Sequence, residues 1–592
     1  MAVVMCQTRK VLNMVAPDDV AATGTRARLT SRSRHFPRPD GHPAVRRPPP
    51  RRARLTVAAH EDRPTEEAGC MSDIREQSGS GGDGAPHLTA HKTGMLEEID
   101  VSGRADVFKL RKGAVGIWGV LFLTVTGSAP ISAMLFNTPI VVGFGQGVGA
   151  PAAFIFATVV LVVFSVGYVA MARKKTTAGG FYSYISFGLG REIGIGTGFG
   201  SVLAYSVFEA SLCGGFAYFL NLKLAQFGWN VGWPWLALAM VLIISVLTYF
   251  DIRISSLVLG IGLISEIVML LIFDGFMFAH GGLPLASLNP VNAFKALPAS
   301  HLVAAGAIGV GLFFAFWSWV GFEMAPNYGE ESRDPKRIVP RALYISVIGL
   351  GIFYILTSWA PFAGYPTVNA AAHQAQNNAA QYYLGPANAI AGRWVGSLLS
   401  YLIITGSFAC GMAFHNTTSR YFYSLGREGL LPRQLGKTHP RWKSPYIASI
   451  VQSVIAAVIV LGFALFTGTN DPSSQAYIQL YGLMAVMGVI IILSVQALVS
   501  LSILIYFWRH HQDDVHWWKT MVAPALAFIT QAFVVYLLFD NIQFLGSGYS
   551  YAKWLGPIDL FVVLVGVGFA FYLKQRNRAK YESAGRLINE GL

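Results

Sequence analysis

From residue 113 onward, long apolar runs alternate with short polar connections. A run of about 20 apolar residues is what a helix needs to cross a hydrocarbon core. The pattern predicts twelve spans, at 113–137, 149–172, 192–221, 234–250, 255–280, 301–324, 341–364, 395–421, 445–467, 476–508, 519–540 and 556–574. The fourth and fifth are divided only by "FDIRIS", Phe250–Ser255. The fold class is all-α and polytopic.

Two runs carry residues that a lipid-facing helix has no use for. The first contains "TVTGSAPISA", Thr124–Ala133, with a Gly-Ser pair and Pro130 in mid-span. The sixth contains "FAFWSWVGFE", Phe314–Glu323, with Ser318, Gly321 and a carboxylate. Unwound backbone in a bilayer is tolerated where it faces protein, water or a ligand, and a single Pro or Gly often makes only a kink. An interruption in the first helix of each five-span half is the pattern of transporters built from inverted repeats. Half-helix N-termini offer partial positive charge to a carboxylate, and freed carbonyls offer partial negative charge to an ammonium. An α-amino acid carries both groups.

Composition agrees: 53% of residues are hydrophobic and only 13% charged, against roughly 25% charged in soluble domains. The formal charge of +14 suggests an acidic partner, yet the basic residues concentrate in one set of loops. That set includes Arg173, Lys174, Lys175, Arg191, Arg253, Arg333, Lys336, Arg337, Arg341, Arg427, Arg433, Lys437, Arg441, Lys443, Arg509, Lys519, Lys574, Arg576, Arg578 and Lys580. The opposite set holds little more than Lys223, Lys295, Arg393 and Lys553. An asymmetry of about five to one assigns the first set, and with it both termini, to the cytoplasm. Topology therefore explains the charge, and no nucleic-acid partner is expected.

Residues 1–107, with "RRPPPRRARL" at Arg46–Leu55, have no hydrophobic period and read as a disordered basic tail. Met71 opens "MSDIREQSGSGG" like an ordinary protein start, so 1–70 read as translated upstream sequence. The remaining divisions are a ten-helix core at 108–510, two peripheral helices at 511–576 and a tail at 577–592. The cysteines Cys6, Cys70, Cys213 and Cys410 are scattered and form neither a disulfide framework nor a metal site. "GIGTGFG", Gly194–Gly200, follows no strand and reads as close helix packing rather than a phosphate loop. No cofactor is expected, and without a convergent catalytic set the chain does not read as an enzyme.

Three carboxylates fall inside spans: Glu209, Glu266 and Asp274. A carboxylate at the bilayer centre costs at least about 2.5 kcal/mol on insertion scales. Glu209 and Glu266 are candidates for carrying protons, and Glu209 also for pairing with a substrate amine. A hydrogen bond that locks helices together is the alternative for each, as it is for His415 and Asn416 in the eighth span.

Three longer motifs carry a family resemblance. "FAFWSWVGFEMAPNYGEESRDPKRIVPRAL" (Phe314–Leu343), "AGGFYSYISFGLGREIG" (Ala178–Gly194) and "SRYFYSLGREGLLPRQLGKTHPRWKSP" (Ser419–Pro445) occur in order. They resemble the loops after the sixth, second and eighth spans of the amino acid–polyamine–organocation permeases. The resemblance covers about residues 113–510. It implies a leucine-transporter-type fold, with ten core helices in two inverted five-helix repeats and two peripheral ones. It also implies secondary transport of amino acids or related amines. Carried over by position, Thr124, Val125, Thr126, Gly127, Ser128 and Ala129 form the first substrate-binding break, and Phe316, Trp317, Ser318 and Trp319 the second. Tyr205 and Glu209 join them from the third span. Trp317 would close over the substrate, and Glu323 would belong to an inner gate, as in an antiporter of the family. The chain departs from the pattern where Ala129-Pro130 follows Ser128, a position where many relatives have glycine.

The expectation is a permease of the cytoplasmic membrane working by alternating access, with proton-coupled symport or exchange. The partners are a small-molecule substrate, protons and the lipid bilayer. A polyamine or organocation transporter of the same fold and a non-transporting amino acid sensor are the alternatives.

Overall fold

The computed structural model describes residues 109–175, 179–467, 476–510, 515–546 and 549–585. The tail at 1–107, and with it the expected start at Met71, lies outside the described residues, as does the C-terminal tail after Gly585. Among the described residues the chain is helical, and its one β-bridge joins Val115 to Ser332. Eleven helices are long and apolar enough to cross a membrane. They are Ile117–Gly145, Gly147–Lys174, Arg191–Ala225, Ile252–His280, Ile308–Tyr328, Pro335–Gly364, Arg393–Arg427, Tyr446–Phe466, Gln479–Arg509, Trp517–Asp540 and Ser550–Arg576. The shorter apolar helix Trp233–Tyr249 is the fourth in chain order. It ends at Phe250, and Asp251 caps the fifth by accepting from the Arg253 N–H at 3.1 Å. The division at "FDIRIS" therefore holds, since a side-chain acceptor there satisfies an orphan amide of the new helix.

Several boundaries differ from the hydropathy reading, and three of the differences have a plain physical reason. The first span continues to Gly145 through π-helical turns at Ala133–Asn137 and Val141–Gly145. Its polar Asn137 looked like an exit but is buried, donating to Ser318 Oγ at 3.0 Å. The sixth span begins at Ile308 rather than 301, because the preceding residues form irregular structure. The eighth runs on to Arg427, because Arg420 is buried against Glu331 and does not mark the water boundary.

The packing repeats between the halves. The third span packs on the tenth and the eighth on the fifth, contacts that exchange when the two five-helix halves exchange. The third and eighth lie against one another at the centre, and the eleventh and twelfth lie outside, on the second and third respectively. Burial follows this plan. In their most apolar stretches the first and sixth spans are each 89% buried, whereas Tyr446–Phe466 is 22% buried. Leu242, Leu257, Ile261, Val454 and Phe561 stand exposed on outer helices, the surface a bilayer would cover. The two interrupted helices are thus the most enclosed, where backbone outside a regular helix can be satisfied.

Candidate functional site

The first span is helical to Val125, tightens into a 3₁₀ turn at Thr126–Ser128, and reverses at Ala129 with φ +41°. Pro130 then opens the continuing helix at a position that needs no N–H. The sixth span is helical from Ile308 to Trp317, turns through Ser318–Val320, and passes Gly321 at φ +124° before a 3₁₀ segment at Phe322–Tyr328. Both breaks lie where the residue pattern places them.

They touch. A β-carbon on Gly321 would stand 2.3 Å from the Gly127 carbonyl carbon and 2.5 Å from the Ser128 nitrogen, so the two backbones meet with no room for a side chain. Ser128 Oγ donates to the Trp319 carbonyl at 3.3 Å, and the Ser128 carbonyl accepts from Tyr354 OH at 3.1 Å. The Gly127 carbonyl faces the Cys410 thiol at 3.2 Å. Beside this junction lies a cavity of about 40 Å³, room for one or two waters rather than for a whole amino acid in this conformation. Gly127, Ser128, Ala129, Trp317, Ser318 and Val320 form its wall from the breaks. Asn137, Phe208, Ser211, Cys410, Phe414 and Tyr481 complete the main polar and aromatic faces. Trp317 stacks on Tyr481 with ring centroids 6.0 Å apart, and the two rings line one side of the cavity.

The other sequence-nominated residues lie elsewhere. Thr124 bonds back to the Val120 carbonyl, Val125 is buried, and Thr126 donates to the Leu259 carbonyl. Phe316 packs edge-on against Phe156, and Trp319 against Tyr354, away from the cavity lining. Tyr205 donates to Glu323 Oε1 at 2.9 Å, and Glu323 Oε2 accepts the Gly321 N–H at 2.8 Å. The Glu323 carbonyl accepts from Tyr168 OH at 3.1 Å. Glu323 thus ties the sixth-span break to the second and third spans. Glu266 accepts the Ile131 N–H at 3.3 Å, on the helix that restarts after the first break.

Glu209 is also absent from the cavity lining. Both its oxygens lie 3.0 Å from His415 Nδ1, and Gln452 Nε2 donates to Oε2 at 2.7 Å. Its neighbour Phe208 does face the cavity, stacked on Phe414 at 4.8 Å. Sequence reasoning missed Asn137, Phe208, Ser211, Phe414 and Tyr481. Asn137 carried a signal, a further polar residue in the broken span beyond the break; the aromatic residues carried none in an apolar helix.

The ends of the two broken spans on the side of the basic loops are fastened as well. The Val115 N–H donates to the Glu331 carbonyl and the Arg333 N–H to the Val115 carbonyl, both at 3.1 Å. Arg420 forks onto Glu331 at 2.7 and 3.0 Å, and Arg427 onto Glu330 at 2.6 and 2.9 Å, clamping the loop after the sixth span to the eighth.

Two broken, largely enclosed helices meeting at a small cavity in a polytopic bundle define a membrane transporter of the inverted-repeat class. Residues 115–565 match the family model described as amino acid permease, and the chain belongs to that family. Among relatives, the low-affinity putrescine importer PlaP of Escherichia coli (strain K12) is 25% identical over 350 residues, covering 57% of this chain and 72% of that protein. The branched-chain amino acid permease BcaP of Bacillus subtilis (strain 168) is 20% identical over 380 residues, covering 60% and 73%. The human b(0,+)-type amino acid transporter 1 is 26% identical over 256 residues, covering 43% and 50%. The protein is therefore a multi-pass secondary transporter of amino acids or related amines, not an enzyme.

Proposed function

We propose that the protein moves an amino acid or a related amine across the cytoplasmic membrane by alternating access, coupled to protons or to a counter-substrate. The observation that carries this reading is the cavity shared by the two breaks, with Gly127–Ala129 on one wall and Trp317, Ser318 and Val320 on another. Backbone amides of the first break would take the substrate carboxylate, and carbonyls of the sixth its ammonium. Trp317 covers the site, and Glu323 links the sixth-span break to Tyr205 on the third span, as an inner gate requires. The basic loops lie in the cytoplasm together with both termini.

The wall of Phe208, Phe414, Trp317 and Tyr481 is apolar and favours a substrate whose side chain is neutral. Among the described residues no carboxylate lines the cavity to receive a second ammonium, which weighs against a diamine. Uptake by reconstituted vesicles of labelled leucine, arginine and putrescine, with and without a pH gradient, tests the reading. Leucine uptake or counterflow supports it. Specific uptake of putrescine alone replaces it with a polyamine transporter of the same fold, and binding without uptake or counterflow replaces it with a sensor.

A further inference from the structure

Behind the Phe208–Phe414 wall lies a second polar site whose carboxylate and imidazole do not line the cavity. Phe208 and Phe414 face the cavity, and the next residue on each helix, Glu209 and His415, points about 100° round from it and meets its partner. Both side chains are fully buried. His415 Nε2 lies 2.8 Å from Ser449 Oγ, which lies 3.0 Å from Thr248 Oγ1. Gln452 donates to Glu209 and accepts from Ser206 Oγ at 2.7 Å. Ser449 and Thr248 also line a second cavity, between the fourth, eighth and ninth spans, with Asn416, Ser419, Arg420 and Ser444. The Ser419 hydroxyl has no partner among the described residues, and such a buried group is ordinarily met by water. The hydrogen-bonded chain therefore runs from a buried carboxylate through an imidazole and two hydroxyls to a polar cavity near Arg420 and Ser444, at the basic end of the bundle.

We infer that Glu209 and His415 form a proton-binding site with its own route to the cytoplasmic side, separate from the substrate cavity but sharing the Phe208–Phe414 wall with it. The inference rests on the proton-coupled form of the proposed function. An incoming proton bonds to the Ser449 oxygen as Ser449 passes its own hydrogen to His415 Nε2. The imidazole then releases its Nδ1 hydrogen to a Glu209 oxygen. One proton has entered, the carboxylate has become a neutral carboxyl, and the imidazole is again neutral with its tautomer reversed. Both ring nitrogens take part, which is the shuttle role histidine is suited to. Neutralising the carboxylate changes the attraction between the third and eighth spans at the step where both also carry the aromatic wall.

The groups around the pair fit this role. Cys213, one turn along the third span, lies within electrostatic reach of Glu209. Tyr205, one turn back, is bonded to Glu323. Arg420, further along the eighth span, is held by Glu331. The fourth and ninth spans contribute the hydroxyls of Thr248 and Ser449 and the amide of Gln452. On the cavity side the first span presents Gly127 and the tenth Tyr481, whose carbonyl accepts from Ser211 Oγ at 2.6 Å.

The test compares two rates in the same vesicles, labelled leucine or putrescine uptake driven by an inside-alkaline gradient and counterflow of the same compound without one. In Glu209→Gln the ratio of driven uptake to counterflow should fall about tenfold. In Ser449→Ala, which leaves the carboxylate in place, the ratio should fall in the same direction, and pyranine inside the vesicles should report less proton entry per substrate. If the unaltered protein performs counterflow but ignores the gradient, the proton-coupled reading fails and this site with it. If the unaltered protein is gradient-driven and Ser449→Ala and Glu209→Gln are driven equally well, only the site is overturned. Should Glu209→Gln not fold, Ser449→Ala decides alone.

Discussion

Gly321 presses its Cα against the Gly127–Ser128 peptide, leaving 2.3 Å between the place of a β-carbon and the Gly127 carbonyl carbon. Backbone, not side chain, makes this junction, so it can yield only by separating the two helices. Its φ of +124° also excludes ordinary side chains. Gly321→Ala should therefore lower uptake by roughly a hundredfold, the scale of loss when binding groups shift by about an ångström. Vesicle transport measures it, with membrane insertion checked by protease protection.

Gly127 is the other half of the junction. Its β-carbon would meet Met324 at 3.1 Å and the Gly321 Cα at 3.3 Å. Met324 can move and Gly321 cannot, so Gly127→Ala should retain partial uptake. Gly127→Leu should abolish uptake while the chain still inserts. Normal uptake by the leucine variant would remove the first break from the substrate site.

Ala129 holds φ +41°, a conformation glycine adopts freely. For an alanine the left-handed region costs about 1–2 kcal/mol. Glycine loses about 0.4–1 kcal/mol more chain entropy on folding. The first effect is the larger, so Ala129→Gly should stabilise the protein slightly and keep transport, as thermal unfolding in detergent alongside uptake would show. A lower melting temperature would mean that the alanine methyl contributes packing that outweighs the strain.

Arg420 and Glu331 are both buried and bonded twice. Removing one partner leaves a charge unpaired, a loss of about 3–5 kcal/mol. Glu331→Ala should be severely destabilising. The double change Glu331→Leu with Arg420→Met should be milder, because no charge is stranded, and a thermal double-mutant cycle measures the difference.

Beyond the eighth span, buried Glu428 holds the segment after the last helix. Its Oε2 accepts the Gly585 N–H at 2.9 Å and bonds Tyr182 OH. Burial pushes its carboxyl from 4.5 up to about 7, against the opposing pull of these hydrogen bonds and of Arg427. The docked state then binds the proton more tightly than the undocked one. Docking is strongest below the ordinary value of 4.5 and weakens as pH rises to about 7, with little change above. Amide protection in residues 578–585, taken relative to the intrinsic exchange rate at each pH, should fall across that window, and Glu428→Gln should remove the fall. Protection that ignores pH in the unaltered protein would contradict it.

Much of this fold is legible in the chain because its causes are local. Bilayer thickness sets the length of each run, and a Gly-Ser pair before Pro130 or a Ser318–Gly321 turn interrupts a helix wherever it is placed. Span ends were less legible where a polar residue is buried. Asn137 and Arg420 look like exits from the membrane until Ser318 and Glu331 are seen to meet them.

The sequence by itself determined the interrupted helices and their place in two equal halves. Only the tertiary structure decided which neighbour on a helix faces the cavity. Successive residues on a helix point about 100° apart, so Phe208 and Phe414 line the site while Glu209 and His415 meet behind it. That rotation depends on how the third and eighth spans pack on the fourth, ninth and tenth, and no short stretch of an almost wholly apolar helix encodes it.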